Sequence, residues 1–254
     1  MIPISVVIIA KDEAHIISQT IQSVKSLTDD ILVCDTGSID ATVPIAIKSG
    51  ASVIELSWHG YGQSKNEAND HALYDWVLQL DADEVADEEL IKELHKVNLK
   101  NPKQVFTVKR KNYFKTKRIR FGPWRNDNPI RLFNRTEAEW NTDDVHEKLI
   151  YPGSCVISNL KGSIHHYTIQ SEQEFEERMT KYGIKSAEKY FKQGVKGAWY
   201  KQFLSPAFTF IKDFFFRLGF LDGIEGWIIA AVNAKYTHIK YQTLYKLQHA
   251  QKKD

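Results

Sequence analysis

Residues 4–10 read Ile-Ser-Val-Val-Ile-Ile-Ala and run straight into Lys11-Asp12-Glu13. A near-continuous apolar, β-branched run marks a strand covered on both faces, as in a parallel sheet. From Glu13 the period changes, and Ile17, Ile21 and Val24 stand at i, i+4 and i+7, the stripe of a helix. The alternation then repeats. Residues 30–34, 52–56 and 76–80 read as strands, 41–48 and 63–74 as helices, and Asp87 as the cap of a helix through Val97. This β-α-β-α order predicts an α/β fold: a mostly parallel, nucleotide-binding sheet with flanking helices. Ligands of such sheets lie beyond the carboxyl ends of the strands.

Beyond residue 104 the alternation loosens. Residues 105–109, 130–133 and 155–159 are expected strands, 171–193 a polar helix, and the tail from Trp199 is aromatic, basic and mostly helical, with Pro206 expected to break a helix. The expected division is a catalytic domain over 1–170 and a helical extension over 171–254. The 254 residues are 43% hydrophobic and 26% charged, which excludes disorder and a polytopic membrane protein. A net charge of +2 gives no electrostatic case for nucleic acid. Cys34 and Cys155 lie too far apart for a CxxC site and fit a reducing, cytoplasmic compartment. The N-terminal run has no basic n-region and reads as a strand, not as a signal peptide.

Three strand ends carry acids: Lys11-Asp12-Glu13, Asp35 followed by Thr36-Gly37-Ser38-Ile39-Asp40, and Asp81-Ala82-Asp83-Glu84. In an extended segment Asp81 and Asp83 point the same way, and two carboxylates on one side suit a hard divalent cation that keeps phosphate oxygens among its ligands. A plain alternative is that these acids favour the N-terminus of the helix capped at Asp87.

In this order the motifs resemble bacterial family 2 glycosyltransferases of the GT-A fold. The resemblance is carried by VVIIAKDEAHI at 6–16, ILVCDTGSIDAT at 31–42, GQSKNEAND at 62–70 and LQLDADE at 78–84. FGPW at 121–124, PIRLFN at 129–134, DDVHEKL at 143–149 and FLDGIEGWIIAAVNAKY at 220–236 are similar to lipopolysaccharide core β-1,4-glucosyltransferases. The resemblance implies a UDP-sugar donor, a Mg²⁺ or Mn²⁺ ion, and glucose as the sugar. It implies that Glu13 and Asp35 contact the nucleobase and ribose, that Ser38 and Asp40 brace the loop, and that Lys65 lies near the base or diphosphate. Asp81 would reach the ribose and Asp83 would hold the metal. Two departures stand out. Cys34 replaces a commoner Asp and Lys65 a commoner Arg, each keeping a hydrogen-bonding group, though Lys offers one point charge in place of a planar fork.

Inverting transfer needs a carboxylate to take the acceptor's proton and neutralisation of the leaving diphosphate. The five residues 143–147 supply three acids and a histidine; Glu147 is the favoured base and Asp144 the second choice. Arg131, basic between apolar neighbours, is expected to face the diphosphate or an anionic acceptor. A histidine after the sheet serves some GT-A enzymes as a metal ligand; here His165 or His166 would do so, with His165 preferred.

Residues 199–221 hold nine aromatic side chains interrupted by Lys201, Lys212, Asp213 and Arg217. That is no uncharged span of about 20 residues, but it fits an interfacial helix at the inner face of the cytoplasmic membrane, where a lipid-linked glycan acceptor would lie. The alternative is that these helices pack on each other. Two further functional readings remain: a sugar nucleotidyltransferase, although Ala10-Lys11-Asp12-Glu13 is not the Gly-rich first turn expected of one, and a membrane-surface binding module without catalysis. A dinucleotide oxidoreductase is excluded because no GxGxxG follows the first strand.

Overall fold

The first strand, β1 (Ile4–Ala10), is buried on both faces for the reason its sequence suggests. Val6 and Ile8 enter one core with Val33, Leu78 and Leu80 of neighbouring strands and Ile17, Ile21 and Val24 of helix α1 (Ile17–Val24). Val7 enters another with Leu32, Val77, Phe133 and Ala68. The computed structural model describes residues 2–142 and 148–250. Within them two compact units are found, residues 1–111 with 126–166, and residues 112–125 with 167–254. Residues 112–125 thus group with the tail, and the later cut falls between His166 and Tyr167.

In the first unit, β2 (Ile31–Asp35), α2 (Thr42–Ser49), β3 (Ser52–Glu55), α3 (Tyr61–Asp70) and β4 (Trp76–Asp81) follow in the expected order. The parallel part of the sheet runs β3-β2-β1-β4. Its register sets Ala10 opposite Asp35 and Ile9 opposite Asp81, so three strand ends meet at one edge. Beyond β4 the sheet becomes antiparallel and mixed, through β8 (Ile130–Asn134), β6 (Gln104–Phe114), β11 (Val156–Ile169) and β5 (Glu84–Ala86). Two short strands, β9 (Glu139–Trp140) and β10 (Leu149–Ile150), pair separately. The α/β expectation, a large sheet with flanking helices, holds, with the parallel pairing in the N-terminal half β3-β2-β1-β4.

Asp87 caps α4 (Glu88–Leu94), accepting from Leu90 N at 2.9 Å, as its sequence position predicts. The strand expected at 155–159 grows to the fourteen residues of β11, which carries both histidines of the 164–167 segment. Gly162 within it has φ +86°, and a Cβ there would stand 2.1 Å from Leu90 N, so glycine alone lets β11 meet the start of α4.

In the second unit β7 (Lys117–Arg118) pairs with the end of β6. Helix α5 (Glu172–Lys192) begins at a Ser171 cap that accepts from Glu174 N at 3.1 Å. Helix α6 (Lys201–Ile211), a π-helical turn (Lys212–Phe216), a 3-10 turn (Gly219–Asp222) and α7 (Ile224–Ala250) complete it. Its core joins Phe114, Ile119, Ile169, Phe175, Ile229 and Val232. The Asp222 carboxylate accepts from Arg120 N at 3.1 Å and Phe121 N at 2.8 Å, fastening the 112–125 segment to the tail.

Pro206 does not break its helix, contrary to expectation; it lies inside α6. Proline removes the N–H that would bond the carbonyl four residues back. That carbonyl, Gln202 O, accepts instead from His238 Nδ1 at 2.7 Å, so a side chain of α7 supplies the missing donor. Among the described residues no helix is long and apolar enough to cross a membrane.

Candidate active site

The ends of β1 and β2 are laced by side chains of the 35–42 loop. Asp35 is buried, and its Oδ2 accepts from Gly37 N at 3.0 Å and Ser38 N at 2.9 Å, while Ser38 Oγ donates to its Oδ1. The turn needs Gly37 at φ +95°. Ser38 Oγ also accepts from Asp12 N at 2.9 Å. Asp40 accepts from Ala14 N at 3.1 Å and from Thr42 N at 2.9 Å, and the Thr42 hydroxyl is the main cause of a carboxyl pKa below the usual range. Glu13 N donates to Thr42 Oγ1 at 2.7 Å. Ser38 and Asp40 therefore do tie the two loops together, and Glu13 and Asp35 sit on adjacent strand ends. Cys34 points the other way, into the second apolar core, where burial and, less, Glu67 push its thiol up to about 12. Its role is packing, not the hydrogen bonding that the alignment with an Asp suggests.

At the end of β4 three acids and three bases interlock. Asp81 lies 3.2 Å from Lys65 Nζ and 2.9 Å from an Arg131 guanidinium nitrogen. Glu84, fully buried, meets Arg131 at 2.5 Å and Arg110 at 3.1 Å through Oε1, while its Oε2 accepts from Asp81 N at 3.1 Å. Arg110 Nε donates to Asp127 Oδ2 at 2.7 Å. Burial opposes the charge on Asp81, but Lys65, Arg131 and Arg110 outweigh it and hold the carboxyl well below its usual range. Burial likewise opposes the charge on Arg131, and Glu84 and Asp81 more than restore it, raising its pKa. Buried charges survive only when paired in this manner. One donor stays unused: Arg131 Nε is buried without a hydrogen-bond partner among the described residues.

Lys65, Asp81, Arg110, Arg131, Trp140 and Tyr151 face a cleft of about 390 Å³. Lys65 Nζ lies 4.7 Å from the centre of the Trp140 ring. Trp140 is set by Asn66, which donates Nδ2–H to Trp140 O at 2.8 Å and accepts from Trp140 N at 2.7 Å. Close contact between α3 and this segment requires Gly62, since a Cβ there would stand 1.7 Å from Asn141 O.

Residues 82 and 83 form a turn between β4 and β5, so the DAD segment is not extended and the period-two argument for it fails. Asp81 turns to the basic cluster. Asp83 turns to His166, with Oδ2 and Nε2 3.3 Å apart. His165, the sequence preference, points to the opposite face, 3.9 Å from Asp87, because neighbours on a strand alternate. Asp87 is already occupied by Leu90 N, Ser163 N and Lys111. Of the two histidines, His166 is the one beside Asp83. An oxygen and a nitrogen this close fit two neighbouring ligand positions of one cation, which stand about 3 Å apart at Mg²⁺-like bond lengths. Among the described residues no group of three or more His, Cys, Asp or Glu could hold a metal, so at most this pair is offered. Glu147 and Asp144 lie outside the described residues. Residues on either side of them, Trp140 and Lys148, both line the cleft.

Sequence reasoning missed Glu84, Arg110, Asp127 and Asn66 as site-builders. Glu84 was visible as an acid next to DAD, but its partners lie 26 and 47 residues away and leave no local pattern.

A family profile described as Glycosyl transferase family 2 matches residues 5–158, which include this site except its histidines. An uncharacterized glycosyltransferase of Rickettsia typhi is 30% identical over 256 residues, covering 96% of this chain and 87% of that protein. The lipopolysaccharide core biosynthesis glycosyltransferase LpsC of Rhizobium meliloti is 26% identical, over 99% of this chain and 94% of its own length. Among solved structures, glucosyl-3-phosphoglycerate synthase of Mycobacterium tuberculosis, in complex with Mn²⁺ and UDP-glucose, matches at 27% identity and a TM-score of 0.37; the match spans 43% of each chain, less than half of the mycobacterial protein.

Proposed function

The chain belongs to glycosyl transferase family 2 and is a glycosyltransferase, and from that premise we propose that it moves glucose from UDP-glucose, with inversion, onto a lipid-linked glycan of the lipopolysaccharide-core kind at the inner face of the cytoplasmic membrane. The observation that carries this reading is the pair Asp83–His166 beside a charge-balanced Asp81 cluster, at the edge where β1, β2 and β4 end. The relatives' names support the sugar-transfer chemistry and the kind of acceptor.

In this reading Glu13 and Asp35 take the nucleobase and ribose, with Ser38 and Asp40 keeping their loop in place. Asp81 reaches the ribose while Lys65 and Arg131 fix it. Asp83 and His166 hold a divalent cation, which when bound neutralises charge on the leaving diphosphate. Glu147, with Asp144 as second choice, takes the proton of the acceptor hydroxyl. The acceptor oxygen bonds to the anomeric carbon as the bond from that carbon to the diphosphate oxygen breaks, and the electron pair leaves with UDP. Trp140 and Tyr151 give the cleft an aromatic wall on which a sugar ring can stack.

Calorimetry with UDP and Mn²⁺ tests the site. Asp83→Asn removes a charge with little change in volume, and the expected result is loss of metal-dependent affinity by about a hundredfold or more, with the melting temperature unchanged. His166→Ala is expected to weaken it less. Metal-dependent affinity equal to the parent's in Asp83→Asn removes Asp83 from the site.

A further inference from the structure

Within the second unit the aromatic residues of the tail sort into two sets. Phe210 and Phe214 turn inward: Phe210 lies 5.4 Å from Phe214 and 4.9 Å from Trp227, and Phe214 lies 6.2 Å from Phe220. A second set turns outward. Helix α6 has no buried residue at all. At about 100° per residue, Tyr200, Phe203, Leu204, Phe208 and Ile211 fall within about 140° of one another, one continuous face. All five are exposed, and Phe215, Phe216, Leu221 and Ile224 continue the exposed apolar surface through the π-helical turn to the start of α7; Phe216 is 76% exposed. Single exposed apolar residues mean little, but a run of this length marks a surface that something covers.

Charge indicates what covers it. The acids of this stretch are all turned away or paired. Asp213 is buried against Arg217 at 3.0 Å and Asn233 at 3.1 Å. Asp222 is buried on the backbone of residues 120–121, and Glu225 pairs with Lys117 at 2.7 Å. Among the described residues Lys201 and Lys212 have no carboxylate partner, and they lie over aromatic rings, at 5.9 Å from Tyr241 and 6.0 Å from Phe208. An apolar face whose unpaired charges are all positive complements a surface that is apolar below and anionic above. Eleven helical residues span only about 16 Å, too short to cross a bilayer but suited to lying in its plane.

We propose that the face running from α6 through the π-helical turn to the start of α7 docks on an anionic lipid surface, with Phe203, Phe208, Phe215 and Phe216 entering the headgroup–acyl boundary and Lys201 and Lys212 meeting lipid phosphates. This deepens the reading of the acceptor as lipid-linked and rests on it. The docking face is a device of the second unit alone; α5 and the later turns of α7 take no part in it.

Sedimentation of the full chain with phosphatidylcholine vesicles, with and without phosphatidylglycerol, tests it. The parent is expected to bind the anionic vesicles more tightly, and high salt to weaken that binding without abolishing it. Phe208→Ser with Phe216→Ser is expected to weaken binding about a hundredfold, roughly tenfold for each ring withdrawn from the lipid. Lys201→Glu with Lys212→Glu is expected to remove the preference for phosphatidylglycerol and leave residual binding to both. Failure of the intact protein to bind either vesicle overturns the proposal, as does parent-like binding by the Phe208→Ser/Phe216→Ser chain. A dimer in solution that this double substitution splits also overturns it, because a second copy then covers the face. UDP–Mn²⁺ calorimetry on the same samples separates the two readings: vesicle binding without UDP binding supports the docking face and sinks the donor site, and the reverse sinks the docking face alone.

Discussion

The carboxyl edge of the sheet and the outer face of α6 handle difficult groups in opposite ways. At the sheet edge, charge is taken wholly out of water at Glu84 and partly at Asp81 and Asp127, and each of these acids meets Lys65, Arg110 or Arg131 within 3.2 Å. On α6 and its continuation, apolar surface is left largely in water, while the nearby acids are buried or paired. A buried charge without its partner is destabilising by several kcal/mol, so that region is closed by the protein itself. An exposed ring is merely unfavourable, so that region can wait for an external surface. The comparison teaches where to look for each kind of ligand: polar substrate where paired charges line a cleft, as at Lys65, Asp81 and Arg131, and lipid where apolar side chains stay largely exposed.

The largest expected effect touches chemistry and neither kind of packing. Glu147→Gln is expected to lower turnover by roughly 10²- to 10⁴-fold, the range for loss of a general base, with UDP–Mn²⁺ affinity and melting temperature unchanged. Asp144→Asn is expected to do less. Release of UDP in the presence of acceptor reads both, and an inactive Asp144→Asn beside an active Glu147→Gln reverses the assignment.

Next comes a direct contrast of the two regions. Glu84→Gln keeps volume but leaves Arg131 and Arg110 short of a counter-charge, and a loss of about 3–5 kcal/mol of stability is expected. Phe216→Ser, with more side-chain atoms removed but most of their surface already exposed, is expected to change stability by no more than about 0.5 kcal/mol. Urea unfolding measures both, and equal losses would break the comparison. Acid sharpens it. The Asp81 carboxyl is held below its ordinary value, so its pairing contributes stability above the unfolded value of about 3.9 and loses it as pH falls further. The gap in melting temperature between the parent and Asp81→Asn should therefore be flat from about pH 5 to 8 and shrink below about pH 4.

What the sequence revealed follows the same divide. The sheet's parallel half was legible because β1, β2 and β4 are apolar on both faces, and the cap at Asp87 because capping is a local pattern. The strand ends carrying Asp35 and Asp81 were legible for the same reason. Glu84–Arg131 and Arg110–Asp127 were not, because pairing across the sheet has no fixed spacing. Nor was the choice of His166 over His165, which depends on the register that sets His166 opposite Glu84. In the tail, the sequence named the aromatic residues but could not sort Phe214 from Phe216, since both lie in the π-helical turn, where the regular helical step does not hold.

The smallest expected effect lies where the tail departs from a local rule. Pro206 survives inside α6 because His238 Nδ1 donates to Gln202 O, the carbonyl that proline leaves without its usual donor. His238→Ala removes that donor and is expected to cost about 1 kcal/mol, the net worth of an ordinary hydrogen bond, plus some packing against the Phe203 ring 6.3 Å away. Pro206→Ala restores an N–H at the position from which a helix would normally serve Gln202 O. In that background the carbonyl keeps a donor when His238 is lost, so His238→Ala is expected to cost less by roughly 0.5–1 kcal/mol. The lost packing is common to both backgrounds and cancels in the cycle, leaving the hydrogen bond alone. Equal costs in the two backgrounds would mean that Gln202 O is satisfied without His238 and that proline is accommodated by the helix itself. A measured coupling would establish that α7 holds α6 in its helical form through the main-chain carbonyl of Gln202, without drawing on the exposed rings of Phe208 and Phe216.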